Sequence, residues 1–389
     1  MTRRAQSSLP AAALVAAVVT ALAAPGPAEG IPAFARRYRF SCTTCHAPFP
    51  RLKPYGEQFA GRGFALEPGA EPARSTLDLG DPLLELPREF PLALRFDAFG
   101  TVSDRSPELD FETPWTFKLL AGGRIADKIG FYAYYILEQG EPGKIEDAYL
   151  QFSEVFGLPV NVLAGQFQVS DPIAKRELRL ERLDYQILKT RVGESGVDLT
   201  YDRGVALTSD VGPVAAVATV TNGSGIGAVE GGRFDTDSYK NVSLHLAGDV
   251  GPVRLAGFGY WGRERRGGVN DTIVYWGPHV GVGLTERVQL SAVYLERRDS
   301  NPRFGPRDED LVTRGGFVEA LAFPTGPDGR FAVVALYNLV RSDDDAADAE
   351  SGALTLQWLY RRNVRITAEV DRDFDGDAWT GSLGTIAAF

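Results

Sequence analysis

The chain has 389 residues, a formal net charge of -10 and 44% hydrophobic residues. That balance points away from nucleic acid, whose binding wants a basic face, and the length allows one large domain or two ordinary ones. With only two cysteines, one methionine and three histidines in the sequence, each residue that could carry chemistry can be followed individually.

Residues 1–24 combine Arg3 and Arg4 with the apolar run "LPAAALVAAVVTALAA" and an Ala-x-Ala site at Ala21–Ala23, the pattern of a signal peptide. The mature chain is therefore expected outside the cytoplasm. No later stretch approaches the roughly 20 continuous apolar residues that a membrane helix needs, so any membrane passage of the mature chain has to be made by strands.

Residues 40–49, "FSCTTCHAPF", hold both cysteines, Cys42 and Cys45, with His46 directly after them. A disulfide across two intervening residues closes too small a loop to stabilise much. A structural zinc site wants four ligands, and the other histidines lie some two hundred residues away. A thioredoxin-like redox pair expects a βαβ setting that the flanking sequence lacks. Cys-x-x-Cys-His as a c-type haem attachment uses every residue: Cys42 and Cys45 form the thioethers and His46 is the proximal iron ligand. One covalent haem c is thus the expected cofactor.

After the motif, Phe49, Leu52, Tyr55, Phe59 and Phe64 recur at mostly three- or four-residue spacing. They predict one or two short helical turns packing on a porphyrin face, cut short by Pro48, Pro50 and Pro54. The haem segment is taken as residues 25–70 and an acidic, proline-bearing linker as 71–89. A piece this small cannot bury a sufficient core of its own and has to lean on the larger remainder of the chain.

From residue 90 to 389 the pattern is β. Runs such as "LALRFDAFGTVS", "VNVLAGQFQV" and "VQLSAVYLERR" alternate apolar and polar residues between turn-forming stretches, and sixteen strands are expected. Short connections such as "SDVGP" (209–213), "GDVGP" (248–252) and "LTER" alternate with long ones at 169–195, after residue 221 and at "RRDSNPRFGPRDED". A loop is also expected near 264–271. Short turns at one end and long loops at the other predict a transmembrane β-barrel with the short turns on the periplasmic side. Aromatic pairs, Tyr134 with Tyr135, Tyr260 with Trp261, Tyr275 with Trp276 and Trp358 with Tyr360, read as interfacial girdles, and Phe389 as a terminal insertion mark. An even strand count puts both ends of the barrel, and the haem segment, on the periplasmic side, at or inside the mouth and plugging the lumen. Within the longest loop, "AKRELRLERLDYQILKTRV" is basic and helical in pattern and is expected to fold inward.

The stretch "IPAFARRYRFSCTTCHAPFPRLKPYGEQFAGRGF" with a barrel after it resembles the fused outer-membrane monohaem cytochrome-porins, a group that includes the iron-oxidising outer-membrane cytochromes of iron bacteria. The specific likeness covers about 35 positions around the motif, and Ala47–Phe49 is apolar where those iron oxidases carry a polar, histidine-containing stretch. "GQFQV" at 165–169 and "DRGV" at 202–205 resemble phosphate-selective porins more generically. The resemblance implies electron transfer across the outer membrane of a Gram-negative bacterium. The expected partners are a periplasmic cytochrome or other electron carrier, an extracellular metal or small-molecule redox partner with Fe(II) among the donors, and the lipid of the membrane. The alternative is a solute porin, anion-selecting through the basic loop, whose haem segment is a plug or redox gate.

Because Met1 is the only methionine and leaves with the signal peptide, His/Met ligation is closed to the mature chain. The second axial position falls to His245, His279, Lys53, the new amino terminus or an open site. Strand alternation sends His245 and His279 into the lumen. The acidic groups Asp308–Asp310, Asp343–Asp345 with Asp348 and Glu350, and Asp371, Asp373, Asp375 and Asp377 read either as cation-concentrating outer loops or as ordinary solvated ones.

Overall fold

The computed structural model describes residues 33–38, 40–47, 50–66, 76–77, 80, 86–88, 91–227, 231–235, 237–307 and 309–389. The expected signal peptide, most of the expected linker, and Pro48, Phe49 and Asp308 lie outside them.

Sixteen antiparallel strands close into one barrel in which every neighbour in the wall is a neighbour in sequence, the last pairing with the first. They are β1 (Leu92–Ser103), β2 (Asp110–Ala126), β3 (Ile129–Glu138), β4 (Lys144–Phe152), β5 (Val160–Gln168), β6 (Tyr201–Val211), β7 (Val214–Thr221) and β8 (Asn241–Val250), then β9 (Val253–Arg266), β10 (Val269–Thr285), β11 (Val288–Asp299), β12 (Leu311–Ala322), β13 (Phe331–Ser342), β14 (Ala349–Arg361), β15 (Val364–Asp373) and β16 (Ala378–Ala388). The period of two sets the faces. On β8, Val242, Leu244 and Leu246 face outward while Ser243, His245 and Ala247 are buried inside. Leu354 and Leu356, Val318, Leu383 and Val370 continue the exposed apolar exterior, which is the lipid-facing surface of a transmembrane barrel.

One end carries the two-residue turns 127–128, 212–213, 251–252, 286–287 and 362–363 with the longer 153–159 and 323–330, and the other carries 169–200, 222–240 and 300–310. The loop expected near 264–271 is only a turn at 267–268, because β9 and β10 run on as strands of 14 and 17 residues. The aromatic pairs also divide differently from expectation. Tyr134, Tyr260 and Tyr275 are buried inside, while their neighbours Tyr135, Trp261 and Trp276 face out, since consecutive strand residues point to opposite faces. Trp358 and Tyr360, two apart, share the exterior at 5.6 Å between ring centroids.

Residues 169–200 fold into the barrel. Ile187, Leu188, Val197 and Leu199 are buried in one apolar cluster with Phe258, Tyr275, Leu295, Phe317 and Val340 of β9–β13. Tyr185 stacks on Phe317 at 4.1 Å. From the same loop Arg182 reaches Glu112 of β2, nearly across the barrel, at 2.6 Å, and lies 4.0 Å over Trp115. The helix read into this segment is reduced to a 3-10 turn at Arg176–Leu178 and a four-residue helix at Gln186–Lys189. Its charges bond to the wall and to each other across the loop rather than along a helix, as with Arg176 and Asp184. The two short likenesses to porins sit where this loop leaves and re-enters the wall: Gly165 pairs with Gly204, Gln166 with Arg203 and Phe167 with Asp202.

Candidate functional site

The N-terminal segment occupies the short-turn mouth. Its helices are α1 (Ala33–Tyr38), α2 (Cys42–Cys45) and α3 (Pro54–Gly61). Ser41 caps α2, and Pro54 stands in the first turn of α3, where its missing N–H costs nothing. A Cβ on Gly56 would run into the Cys45 carbonyl, so a glycine there lets α3 pack directly on α2. Tyr38, Phe59 and Phe64 form the core, joined by Phe34, Phe40 and Tyr132 of β3. Phe34 stacks on Phe64 at 5.0 Å and meets Phe59 edge-on at 5.2 Å. Tyr55, expected to pack inward, is exposed.

Several attachments hold the segment to the wall, among them Arg36 and Arg37 of α1 on the Leu92 and Arg124 carbonyls. Arg51 bonds both carboxylate oxygens of Glu319 at 2.6 Å, an oxygen of which also accepts from Tyr185 at 2.6 Å. Lys53 pairs with Asp328 at 2.8 Å and donates to the Thr43 carbonyl at 2.8 Å. Gln151 donates to the Gly61 carbonyl. Gly63 packs its backbone on Gly130 of β3 so closely that any Cβ on Gly130 would overlap it. Lys175 of the inward loop reaches Glu57 of α3 at 2.6 Å, so segment and loop also touch each other.

The motif residues come together at two adjoining cavities of about 220 and 200 Å³. Together they fall within the range of ligand pockets, roughly 300–1,000 Å³. The first is lined by Cys42, Cys45, His46, Leu52, Phe59, Phe64, Tyr149 and Asp171. The second is lined by Pro91, Ala93, Leu120, Ile386, Arg95, Lys118 and Arg365. Phe34, His46, Tyr132, Glu177 and Leu178 border both. The chain reverses between His46 and Leu52, which pair as an isolated bridge, with Ala47 N–H on the Arg51 carbonyl at 3.1 Å. This brings the Pro50 carbonyl 2.7 Å from His46 Nδ1. A carbonyl can only accept, so Nδ1 carries the proton and the lone pair stays on Nε2, as in metal-ligating histidines whose other nitrogen is tied to the backbone. Burial lowers the His46 pKa and keeps the ring neutral, the ligating form.

Cys42 and Cys45 are not joined in a disulfide. Burial pushes both thiols up, with Cys42 adding to the effect on Cys45, the opposite of the activated thiolate of a redox pair. Neutral thiols one helical turn apart, a histidine of fixed tautomer and the aromatic side chains of Phe34, Phe59, Phe64, Tyr132 and Tyr149 among more polar lining residues suit a covalently held haem c.

His245 and His279 both face the lumen, on β8 and β10 across β9, where the small Ala256 stands opposite His279. Their Nε2 atoms lie 2.7 Å apart with the rings stacked at 4.9 Å. Neither lines the cavities around His46. Several of the acidic outer groups have local partners: Glu309 on Arg303, Asp373 on Arg105, Glu350 on Arg341, and Asp343 on the Val312 N–H. Among the described residues no cluster of three or more His, Cys, Asp or Glu is placed to hold a metal ion.

No family model and no curated protein matches the chain in sequence. Solved structures do resemble it. An anion-selective porin from Comamonas acidovorans superposes with a TM-score of 0.59 at 13% identity over 77% of this chain and 99% of that one. The outer-membrane channel DcaP of Acinetobacter baumannii gives 0.57 at 12% identity over 77% and 96%. OmpF of Salmonella typhi, in complex with daunomycin, gives 0.54 at 10% identity over 79% and 98%. The chain has a porin's fold. At these identities the likeness is one of fold, and the matched share is close to that of residues 92–388.

Proposed function

We propose that the chain is an outer-membrane electron-transfer protein carrying one haem c at the short-turn mouth of its barrel. Cys42 and Cys45 hold it covalently and His46 is its proximal ligand. The reading is carried by the His46 Nδ1 bond to the Pro50 carbonyl, made beside the two cysteines at a cavity that the wall completes. Bound there, haem supplies one-electron exchange. The chain's own residues do the rest. The Phe34, Phe59 and Phe64 cluster excludes water from one side, Tyr132 and Tyr149 from the wall side, and the attachments through Arg51, Lys53 and Gly63 fix the segment in the mouth. With the short turns periplasmic, as in bacterial barrels, the site opens toward a periplasmic carrier. The inward loop stands between it and the extracellular donor or acceptor.

The test is an optical spectrum of the protein purified from outer-membrane fractions, oxidised with ferricyanide and then offered Fe(II) and dithionite. A c-type spectrum reduced by both supports surface iron oxidation. Reduction by dithionite alone keeps the cytochrome and moves the donor elsewhere. Absence of covalent haem overturns the reading.

The second reading is a solute porin. It is favoured by the shared fold with an anion-selective porin and by the basic inward loop, and planar-bilayer conductance separates the two. A conducting, anion-preferring channel without haem supports it.

A further inference from the structure

The second cavity beside His46 lacks the cysteines and has a row of cations along one side. Arg95 of β1 is directly opposite Lys118 of β2. Arg365 of β15 is one strand further round on the other side, its partner on β16 being Ile386, which in turn pairs with Asp97 of β1. Like charges directly opposite destabilise a sheet, and all three line the cavity. Four carboxylates face the same region. Asp97 binds Arg95 through two bonds of 2.9 and 2.6 Å, Glu177 holds Lys118, and Glu138 and Glu181 border the adjoining pocket with Arg176, Arg179 and Arg182. Of those loop arginines, Arg176 is held by Asp184 and Arg182 by Glu112, while Arg179 lies 3.9 Å from Asp184. Arg365, at 2% exposure, donates to the amide oxygen of Gln357 at 3.1 Å. Burial and the nearby Glu319 push Glu181 up to about 8, so it contributes little negative charge at pH 7.

We propose that Arg95, Lys118 and Arg365 form a carboxylate-binding site whose occupant is the propionate edge of the haem. The inference rests on the haem reading above. The two cavities meet at His46, one holding the thiols and the other the cations. A haem c carries its thioether-forming groups and its two propionates on different parts of the ring edge, so a group attached in the first cavity has its anionic edge available to the second. The barrel wall, not the cysteine-bearing segment, supplies the anion recognition. The same chemistry would also take a free carboxylate or phosphate in a solute channel, which is the other source to be distinguished.

The test uses the full-length protein from outer-membrane fractions, with Arg365→Gln and Lys118→Gln, and Arg365→Lys as the charge-keeping control. Covalent haem is counted first by pyridine haemochrome. With haem present, the expected result is unchanged haem content, a lower midpoint potential in both Gln variants, a shifted propionate bending band in resonance Raman, and recovery of both signals in Arg365→Lys. Haem present with potential and Raman band as in the native protein overturns the proposal. If the native protein has no covalent haem, the haem reading fails separately. The site is then judged by reversal potential in a KCl gradient with added phosphate: loss of anion preference in the Gln variants supports the solute source, and no change overturns the site. Heat-modifiable gel migration reports barrel folding, and if Arg365→Gln fails to fold, Lys118→Gln and Arg365→Lys carry the comparison.

Discussion

At the scale of single residues, the cysteine-histidine motif and the two lumen histidines part company. His46 is held in one tautomer by a backbone carbonyl, whereas His245 and His279 satisfy each other across β9. On the proposed haem reading, Cys42→Ala with Cys45→Ala should remove covalent haem, read by haem staining after denaturing electrophoresis, while leaving a folded barrel. His245→Ala and His279→Ala should leave the Soret and α bands of the holoprotein unchanged; an altered spectrum would bring one of them back as the second axial ligand. Glu181 gives a pH-dependent prediction. Its pKa rises from an ordinary value of about 4.3 to about 8 on folding, first through burial. The folded loop therefore binds the extra proton, and the stability this contributes is complete below about 4.3 and is lost as pH climbs toward 8. Limited proteolysis of residues 169–200 should grow easier across that window, and Glu181→Gln should flatten the dependence.

Among the elements, the small N-terminal segment depends on the wall. Its own aromatic core is short, and its fixed position comes from Arg51 on Glu319 and from the backbone contact between Gly63 and Gly130. Arg51→Ala would leave Glu319, at 4% side-chain exposure, without its cation. Removal of one partner of such a buried pair costs about 3 kcal/mol, and the expected outcome is a protease-sensitive segment on an intact barrel. Gly130→Val should do the same by overlap alone, because the barrel register around it has no need of the glycine while the docked segment does. If either variant keeps the segment protected, these contacts are not what docks it. The basic loop shows why a helical pattern in sequence can mislead. Arg176 and Arg182 find carboxylates at Asp184 and Glu112, and Leu188 and Val197 find the aromatic wall, so tertiary partners outweigh the local i,i+4 terms worth only about a few tenths of a kcal/mol.

For the whole molecule, the inward loop is anchored on β9–β13 at one side and on β2 at the other, and the N-terminal segment occupies the short-turn end. Low conductance in planar bilayers is the expected state. Replacing residues 175–195 by a short glycine-serine linker should raise single-channel conductance several-fold, whereas removal of residues 33–66 alone should raise it less, because the loop still crosses the lumen. Equal conductance in all three would contradict this arrangement.

Local periodicity and a few rare residues already carried much of this architecture. Alternation at a period of two is enough to count sixteen strands and to aim His245 and His279 inward, turn chemistry marks one short-turn end, and the confinement of both cysteines to one motif singles out Cys42, Cys45 and His46. Which distant residues meet is a property of the folded barrel alone. Phe34 and Tyr38 in the segment's core, the cations Arg95, Lys118 and Arg365 beside His46, the pairing of Arg51 with Glu319 and that of His245 with His279 all join positions far apart in the chain. The closure of the barrel brings the last strand back to the first, and no local pattern encodes which lumen-facing side chains that closure places within reach of one another.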